Sequence, residues 1–174
     1  MDSIVNLDTF SEVQKTYTAD NKIERNIIES TCTKLIFNVM PNRDVEEKLY
    51  IKEYKIGKDY IEAIFDREYK SSMANSPSHL IFLTALVHMQ KMIYVYMCDY
   101  LDMKYDPYGP EIMKVWPTSL DIQMPKLITQ SKDLCHQIYI QKIRKLKDKV
   151  YHITAETNIN NIITVNGMTM VYLI

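Results

Sequence analysis

One segment, from Asn75 to Cys98, constrains the fold of this chain more than any other. It opens with Asn-Ser-Pro-Ser, residue types that favour the first turn of a helix, and continues as a mostly apolar run. A few polar residues interrupt that run: Thr84, His88, Gln90 and Lys91. They disfavour a membrane span and predict a helix over residues 76–100 that protein buries on most sides.

Segments rich in β-forming residues lie on both sides of the predicted helix. Residues 1–30 are predicted to form a helical lead-in, and β-rich pieces follow it before the helix. Residues 134–174 contain three further β-rich pieces, and Asn160-Asn161 lies where a two-residue hairpin turn belongs. The pattern predicts a C-terminal antiparallel β-meander over residues 134–174, with a bulge at Asn166-Gly167 that bends its last strand.

The order of these elements predicts an α+β fold. We expect one hotdog domain over residues 1–174, in which an antiparallel β-sheet wraps around a long central α-helix. The chain has no repeats and no low-complexity linker, which agrees with a single domain.

Composition excludes several classes of function. Three glycines are too few for a Gly-rich phosphate loop, and a net charge of -1 disfavours binding to nucleic acid. Three widely spaced cysteines do not form a disulfide framework, which indicates a reducing, cytoplasmic compartment. The N-terminus lacks the pattern of a signal peptide, and no His or Cys pair has metal-ligand spacing. We therefore expect no bound metal and no cofactor.

Four features follow one another along the chain: Tyr54-Lys-Ile-Gly-Lys-Asp-Tyr60, the loop at Asn75, the helix after it, and Tyr139-Ile-Gln-Lys-Ile-Arg-Lys145. In this order they resemble the FcoT type of long-chain fatty acyl-CoA thioesterase. The resemblance spans roughly residues 30–174 and implies hydrolysis of a fatty acyl thioester.

The resemblance also implies site residues. The asparagine of that family at the helix start matches Asn75, and its second asparagine falls on Thr84, where a hydroxyl replaces the amide. The tyrosine that follows an Ile-Gly pair in the family matches Tyr60, with Tyr69 as the rival position.

The residues themselves suggest how such a reaction would be carried out. Backbone N–H groups near Ser78 and His79 would stabilise an oxyanion if the helix begins there. Thr84 and His88 lie one helical turn apart, so His88 is either a base that activates water or a packed core histidine.

Basic residues near the first hairpin of the meander form a second candidate binding surface. Lys142 and Arg144 would contact the phosphates of coenzyme A or the acidic helix of a carrier protein, or they simply solubilise the hairpin.

The sequence therefore predicts an acyl thioesterase that acts on acyl-CoA or an acyl carrier protein. Catalytic candidates are Asn75, Thr84, Tyr60 and His88, and substrate-binding candidates are Tyr69, Ser78, His79, Lys142 and Arg144. Alternatives are a dehydratase-like biosynthetic enzyme and a noncatalytic acyl-binding protein. We expect a homodimer or a higher homo-oligomer, because such a domain exposes a sheet edge.

Overall fold

The structure is a computed structural model that describes residues 23–174. Most of the predicted N-terminal helical lead-in lies outside the described residues. The elements are, in chain order, β1 (Ile23–Ile28), β2 (Cys32–Met40), β3 (Arg43–Gly57), β4 (Tyr60–Ser71), α1 (Phe82–Tyr100), β5 (Met113–Gln123), β6 (Leu134–Lys147), β7 (Val150–Ile159) and β8 (Ile163–Leu173).

All eight strands belong to one antiparallel sheet. Its order is β1-β3-β4-β6-β7-β8-β5, and β2 pairs with β3 on the same edge as β1. The 15 residues of β3 make this possible, because Arg43–Tyr50 pair with β2 and Glu53–Gly57 pair with β1. The sheet thus extends in both directions from the long β3–β4 pair.

Tight turns connect most neighbouring strands. Asn160 and Asn161 both have positive φ, of 54° and 55°, which is the conformation that a two-residue hairpin turn requires. Asn42 has a φ of 60° and follows Pro41, so proline and asparagine occupy the two corner positions of the β2–β3 turn. The strands of the C-terminal meander are β6, β7 and β8.

The helix packs on one face of the sheet. Along β4, Ile61, Ala63 and Phe65 are buried beneath α1, while the alternate residues lie on the outer face. The Tyr96 hydroxyl near the end of α1 donates a hydrogen bond to the carbonyl oxygen of Lys58, at 2.5 Å. Lys58 lies just before the first residue of β4, so the C-terminal end of α1 lies over the start of that strand. The helix therefore runs antiparallel to β4.

The prediction of an α+β fold with a sheet wrapped around a long central helix is wrong. The described chain is mostly antiparallel sheet, and α1 is a short helix of 19 residues that begins at Phe82. Residues 76–81 are not helical, because contacts described below hold this segment away from a helical path, and Ile81 is extended with φ -80° and ψ 126°. Residues 23–28 of the predicted lead-in form β1, since pairing with β3 satisfies their backbone groups.

A second difference concerns Asn166-Gly167, where a strand bulge is expected from the sequence. The β7–β8 register is regular through this pair, and the irregularity lies on the partner strand between Pro117 and Ser119. A Cβ atom at Gly167 would lie 2.9 Å from the Leu120 side chain and 3.1 Å from the Ser119 carbonyl oxygen. The glycine therefore permits close approach of β5 rather than a bend in β8.

Among the described residues, no helix combines the length and apolar character that crossing a membrane requires.

Candidate active site

A buried ion pair anchors the segment that leads into α1. Arg67 on β4 donates from Nε to the Glu47 Oε1 atom of β3 at 2.9 Å, and both side chains are completely buried. The other Glu47 oxygen accepts the Ile81 N–H at 2.9 Å, and Arg67 Nη2 donates to the Ser78 hydroxyl at 3.1 Å. A carboxylate from a distant strand thus caps the positive end of the helix.

This anchoring decides where the predicted loop residues lie. Asn75 is exposed in a turn with a φ of 59°, and Ser78 and His79 lie in the non-helical segment before the helix. The Tyr69 hydroxyl contacts the Ser76 hydroxyl at 2.7 Å, and its ring centroid is 6.0 Å from that of His79. The structure therefore gathers Tyr69, Ser78 and His79 around the loop, but the amides at the helix start belong to Ile81 and Phe82.

A second group of polar side chains lies beneath the helix. Thr84, His88 and His136 are each fully buried, and Nδ1 of His88 lies 3.2 Å from Nδ1 of His136. The ring centroid of His88 is 5.3 Å from that of Phe65 and 6.3 Å from that of Tyr54. Two predicted site residues, Thr84 and His88, are thus placed together in the core.

His136 is a member of this group that the sequence did not single out. It lies on β6 in the alternating set His136, Ile138 and Ile140, all three of which are buried. In the sequence, the same alternation already places a histidine on the apolar face of the strand, and it is the signal by which His136 could have been found.

Both histidines are neutral at pH 7 in the folded protein. Burial lowers the pKa of His136 to about 3. Burial, together with His136 and Lys91, holds the pKa of His88 well below its usual range. A hydrogen bond between two neutral imidazoles needs one donor and one acceptor, so the two rings adopt complementary tautomers.

Several buried atoms of this group have no hydrogen-bond partner among the described protein residues. They are the Tyr54 hydroxyl, the Thr84 hydroxyl, His88 Nε2 and His136 Nε2. A buried polar atom without a partner is costly to the folded state, so each such atom calls for a physical explanation, of which a catalytic role is one. We call these four side chains the core polar site.

A small apolar cleft lies under the same helix, lined by residues other than those of the core polar site. It lies between α1 and the β6–β8 side of the sheet, and it is lined by Met89, Ile93, Leu120, Ile138, Ala155, Thr157, Val165, Gly167 and Thr169. Met89 follows His88 in the helix, and Ile138 is the next inward residue after His136. The cleft holds only about 10 Å³, room for about one water molecule, so an acyl chain must displace a side chain to enter.

Lys91 and Glu29 form an ion pair near the core polar site, and each neutralises the charge of the other. Lys91 lies one turn beyond His88, and its ammonium group is 2.5 Å from the buried Glu29 carboxylate. The Tyr105 hydroxyl donates to the other oxygen of Glu29 at 2.7 Å. Neither charge is therefore free to serve as a counter-ion for a group bound at the core polar site.

Three predicted site residues lie far from this group. Tyr60 is on the outer face of β4, opposite to the helix, and its hydroxyl bonds to Glu62 and Gln137. Nine residues along β4 separate it from Tyr69, roughly 30 Å at the rise of a β-strand. Lys142 and Arg144 are exposed on β6 beyond the end of its pairing with β4. The structure does not bring these three residues to the helix start or to the core polar site.

Within residues 23–174, no group of three or more His, Cys, Asp or Glu side chains is arranged to hold a metal ion.

No protein-family profile matches the sequence, and no curated protein matches it either. Several solved structures are similar at low identity. A sigma28-regulated virulence protein from Campylobacter jejuni has 9% identity and a TM-score of 0.43, with coverage of 84% of this chain and 88% of its own.

Two further similar structures are thioesterases. A mutant thioesterase from Pseudomonas aeruginosa has 7% identity and a TM-score of 0.43, with coverage of 72% of this chain and 82% of its own. A thioesterase from Haemophilus influenzae has 10% identity and a TM-score of 0.39, with coverage of 72% and 78%. Likenesses at this level carry no argument about the chemistry of this chain.

Proposed function

We propose that this protein hydrolyses a long-chain fatty acyl thioester of the FcoT type, carried on coenzyme A or on a carrier protein. The observation that carries the proposal is the core polar site, a buried histidine pair whose Nε2 atoms have no partner among the described residues. A thioesterase needs a group that activates water, and His88 can supply it; the acyl chain would have to open its own slot, since the cleft at Met89 holds only about 10 Å³.

In the proposed reaction, His88 acts as the general base. When His88 donates its Nδ1–H to His136, its Nε2 atom carries a lone pair and accepts a proton from water. The water oxygen bonds to the carbonyl carbon, the carbon–sulfur bond breaks, and the proton passes from Nε2 to the departing thiolate. The Thr84 hydroxyl, one turn before His88, positions the water.

The experiment that tests this proposal is thiol release from acyl-CoA thioesters of four to sixteen carbons, with acyl carrier protein substrates run in parallel. We expect turnover on long chains, and His88→Gln should lower kcat by about 100-fold or more, since positioned bases contribute about 10² to 10⁴. His152→Gln is the matched control, because His152 is half-buried on β7 and pairs with Arg144 away from the site.

Two outcomes would count against the proposal. One is the absence of thiol release from every substrate while circular dichroism shows a folded protein. The other is unchanged turnover in a folded His88→Gln variant, which would place the chemistry elsewhere.

Two observations favour a second candidate, which is acyl binding without turnover. The lowered pKa of His88 makes it a weak base, and the Glu47 carboxylate at the helix start opposes an oxyanion there. Saturable binding of a long-chain acyl-CoA without thiol release would select this candidate.

A further inference from the structure

The outer face of the sheet, opposite to α1, carries a row of side chains that crosses four neighbouring strands. Directly paired residues of antiparallel strands point to the same face, so the pairings of β5, β8, β7 and β6 define the row. It consists of Trp116, Met170, His152 and Arg144. The residues on either side of Met170, Thr169 and Val171, are buried beneath the helix, so the row points away from it.

Two further rows flank this one along the same strands. On one side lie Lys114, Tyr172, Val150 and Lys147. On the other side lie Ser119, Met168, Thr154 and Lys142. At about 4.8 Å between strands and about 7 Å between alternate residues of a strand, the three rows extend roughly 14 Å in each direction. We call these three rows the outer patch.

The outer patch is positively charged. It contains no Asp or Glu, and its cations are Lys114, Lys142, Arg144 and Lys147, none of which forms an ion pair with another described residue. Lysines on β3 differ, because Lys48, Lys52 and Lys55 each lie within 3.1 Å of a carboxylate oxygen. Asp121 and Glu156 lie in the adjoining row and limit the patch on that side. Since the whole chain has a net charge of -1, the patch is a positive area on an otherwise acidic protein.

Aromatic and aliphatic side chains lie between these cations. Trp116 is the only tryptophan in the sequence, and 67% of its surface is exposed. Tyr172 and Met168 are also exposed, and so is Leu146, which lies in the bulge of β6 beside Lys147. Exposed apolar side chains that are gathered in one place and surrounded by charges mark an interaction surface.

The charge and the aromatic side chains of the patch are complementary to an anionic lipid surface. Trp and Tyr prefer the boundary between headgroups and hydrocarbon, where the ring is buried and its N–H or O–H remains hydrated. Each Lys or Arg close to such a surface strengthens binding about fivefold. Met168 and Leu146 favour lipid over single-stranded nucleic acid, because aliphatic side chains enter the acyl boundary but do not stack on bases.

We propose that the outer patch docks this protein on an anionic lipid surface, with Trp116 at the depth of the headgroups and the four cations against the lipid phosphates. This inference goes beyond the proposed hydrolase and does not depend on it, because the outer patch and the core polar site lie on opposite faces of the sheet. Docking in this way leaves α1 on the aqueous side.

The test is a fluorescence titration of the full chain with lipid vesicles, in which Trp116 is the probe. One set of vesicles contains phosphatidylcholine alone, and the other contains phosphatidylcholine and phosphatidylglycerol in a 7:3 ratio. With the anionic vesicles only, we expect the emission to shift to shorter wavelength and to become protected from acrylamide. The affinity should fall at least 10-fold between 0.1 and 0.5 M NaCl, because salt screens the attraction.

Two variants separate the charge from the aromatic contact. Lys142→Gln combined with Arg144→Gln should weaken binding about 10- to 30-fold. Trp116→Ala, followed by co-sedimentation with the vesicles, should weaken it about 3- to 10-fold and keep the salt dependence. The matched control combines Lys58→Gln with Arg43→Gln, which makes the same change in charge at exposed positions at the two ends of β3, outside the patch.

The absence of binding to anionic vesicles by a protein that circular dichroism shows to be folded would overturn the proposal, and so would equal binding to phosphatidylcholine alone. An equal loss of binding in the control pair and the patch pair would overturn it too, since only net charge would then matter. Displacement of the protein from vesicles by micromolar single-stranded oligo-dT would assign the patch to nucleic acid instead. Thiol release is measured without vesicles, so the hydrolase and this docking surface fail separately.

Discussion

Acidification should destabilise this protein well above the range in which carboxylates titrate. His88 and His136 are neutral in the folded state because burial lowers both pKa values, that of His136 to about 3. In the unfolded chain each histidine titrates near pH 6.5. The unfolded state therefore binds more protons as the pH falls below about 6.5, and stability is lost progressively from there toward the folded pKa.

The size of this loss follows from linkage. Each histidine that titrates only in the unfolded state lowers the unfolding free energy by up to about 1.4 kcal/mol per pH unit. Between pH 8 and pH 5 that amounts to about 2 kcal/mol for each histidine, and about 4 kcal/mol for the pair. Such a loss is a large part of the 5–15 kcal/mol that is typical of folded domains.

Urea denaturation followed by circular dichroism at several pH values from 8 to 5 measures this loss. His136→Gln should reduce the loss to about 2 kcal/mol, because one titrating group is removed. His152→Gln, on the outer side of β7, should change it much less. Hydrogen bonds that include one from Lys52 lower the pKa of Asp66 to about 2. Asp66 therefore titrates below pH 5 and does not contribute to the loss of stability measured between pH 8 and pH 5. A stability that stays constant from pH 8 to pH 5 would refute the reasoning, since it requires that the folded pair accept protons as readily as the unfolded chain.

Three other substitutions test the packing. Tyr54→Phe removes a buried hydroxyl without a described partner, so the free energy of unfolding should rise by about 1 kcal/mol in urea titrations; a clear decrease would mean that the hydroxyl is hydrogen-bonded in solution. Arg67→Met should lower stability by about 3–5 kcal/mol, because it leaves the Glu47 carboxylate buried without its partner, and a near-neutral effect would show that this carboxylate is solvated. Gly167→Ala should lower the melting temperature through a loss of about 1–3 kcal/mol, since its Cβ would lie 3.1 Å from the Ser119 carbonyl oxygen; an unchanged melting temperature would show that β5 shifts freely.

Parts of the candidate site were accessible from sequence because they depend on periodicity. Thr84 and His88 lie four residues apart, so any helix through them places both on one face. The alternation along β6 placed His136 among apolar residues in the same way. Neither pattern could reveal the contact between the two Nδ1 atoms, because it joins residues 48 positions apart.

Other parts could not be predicted from local pattern. The start of α1 is set by Glu47 and Arg67, which come from two strands and meet only when β3 and β4 pair. The face on which Tyr60 lies depends on the register of β4 against its neighbours, and a shift of one residue would turn it inward.

The sequence by itself determined some of the local conformations of this protein. Asparagine at positive φ forms the turn at Asn160-Asn161, and alternating β-formers make the strands on either side of it, because both depend on nearest neighbours along the chain. Only the tertiary structure decided that α1 lies on a broad sheet, where it begins, and which polar groups meet beneath it. Those outcomes depend on strand order, on register and on buried charges brought together from distant positions, and no local pattern encodes such long-range pairings.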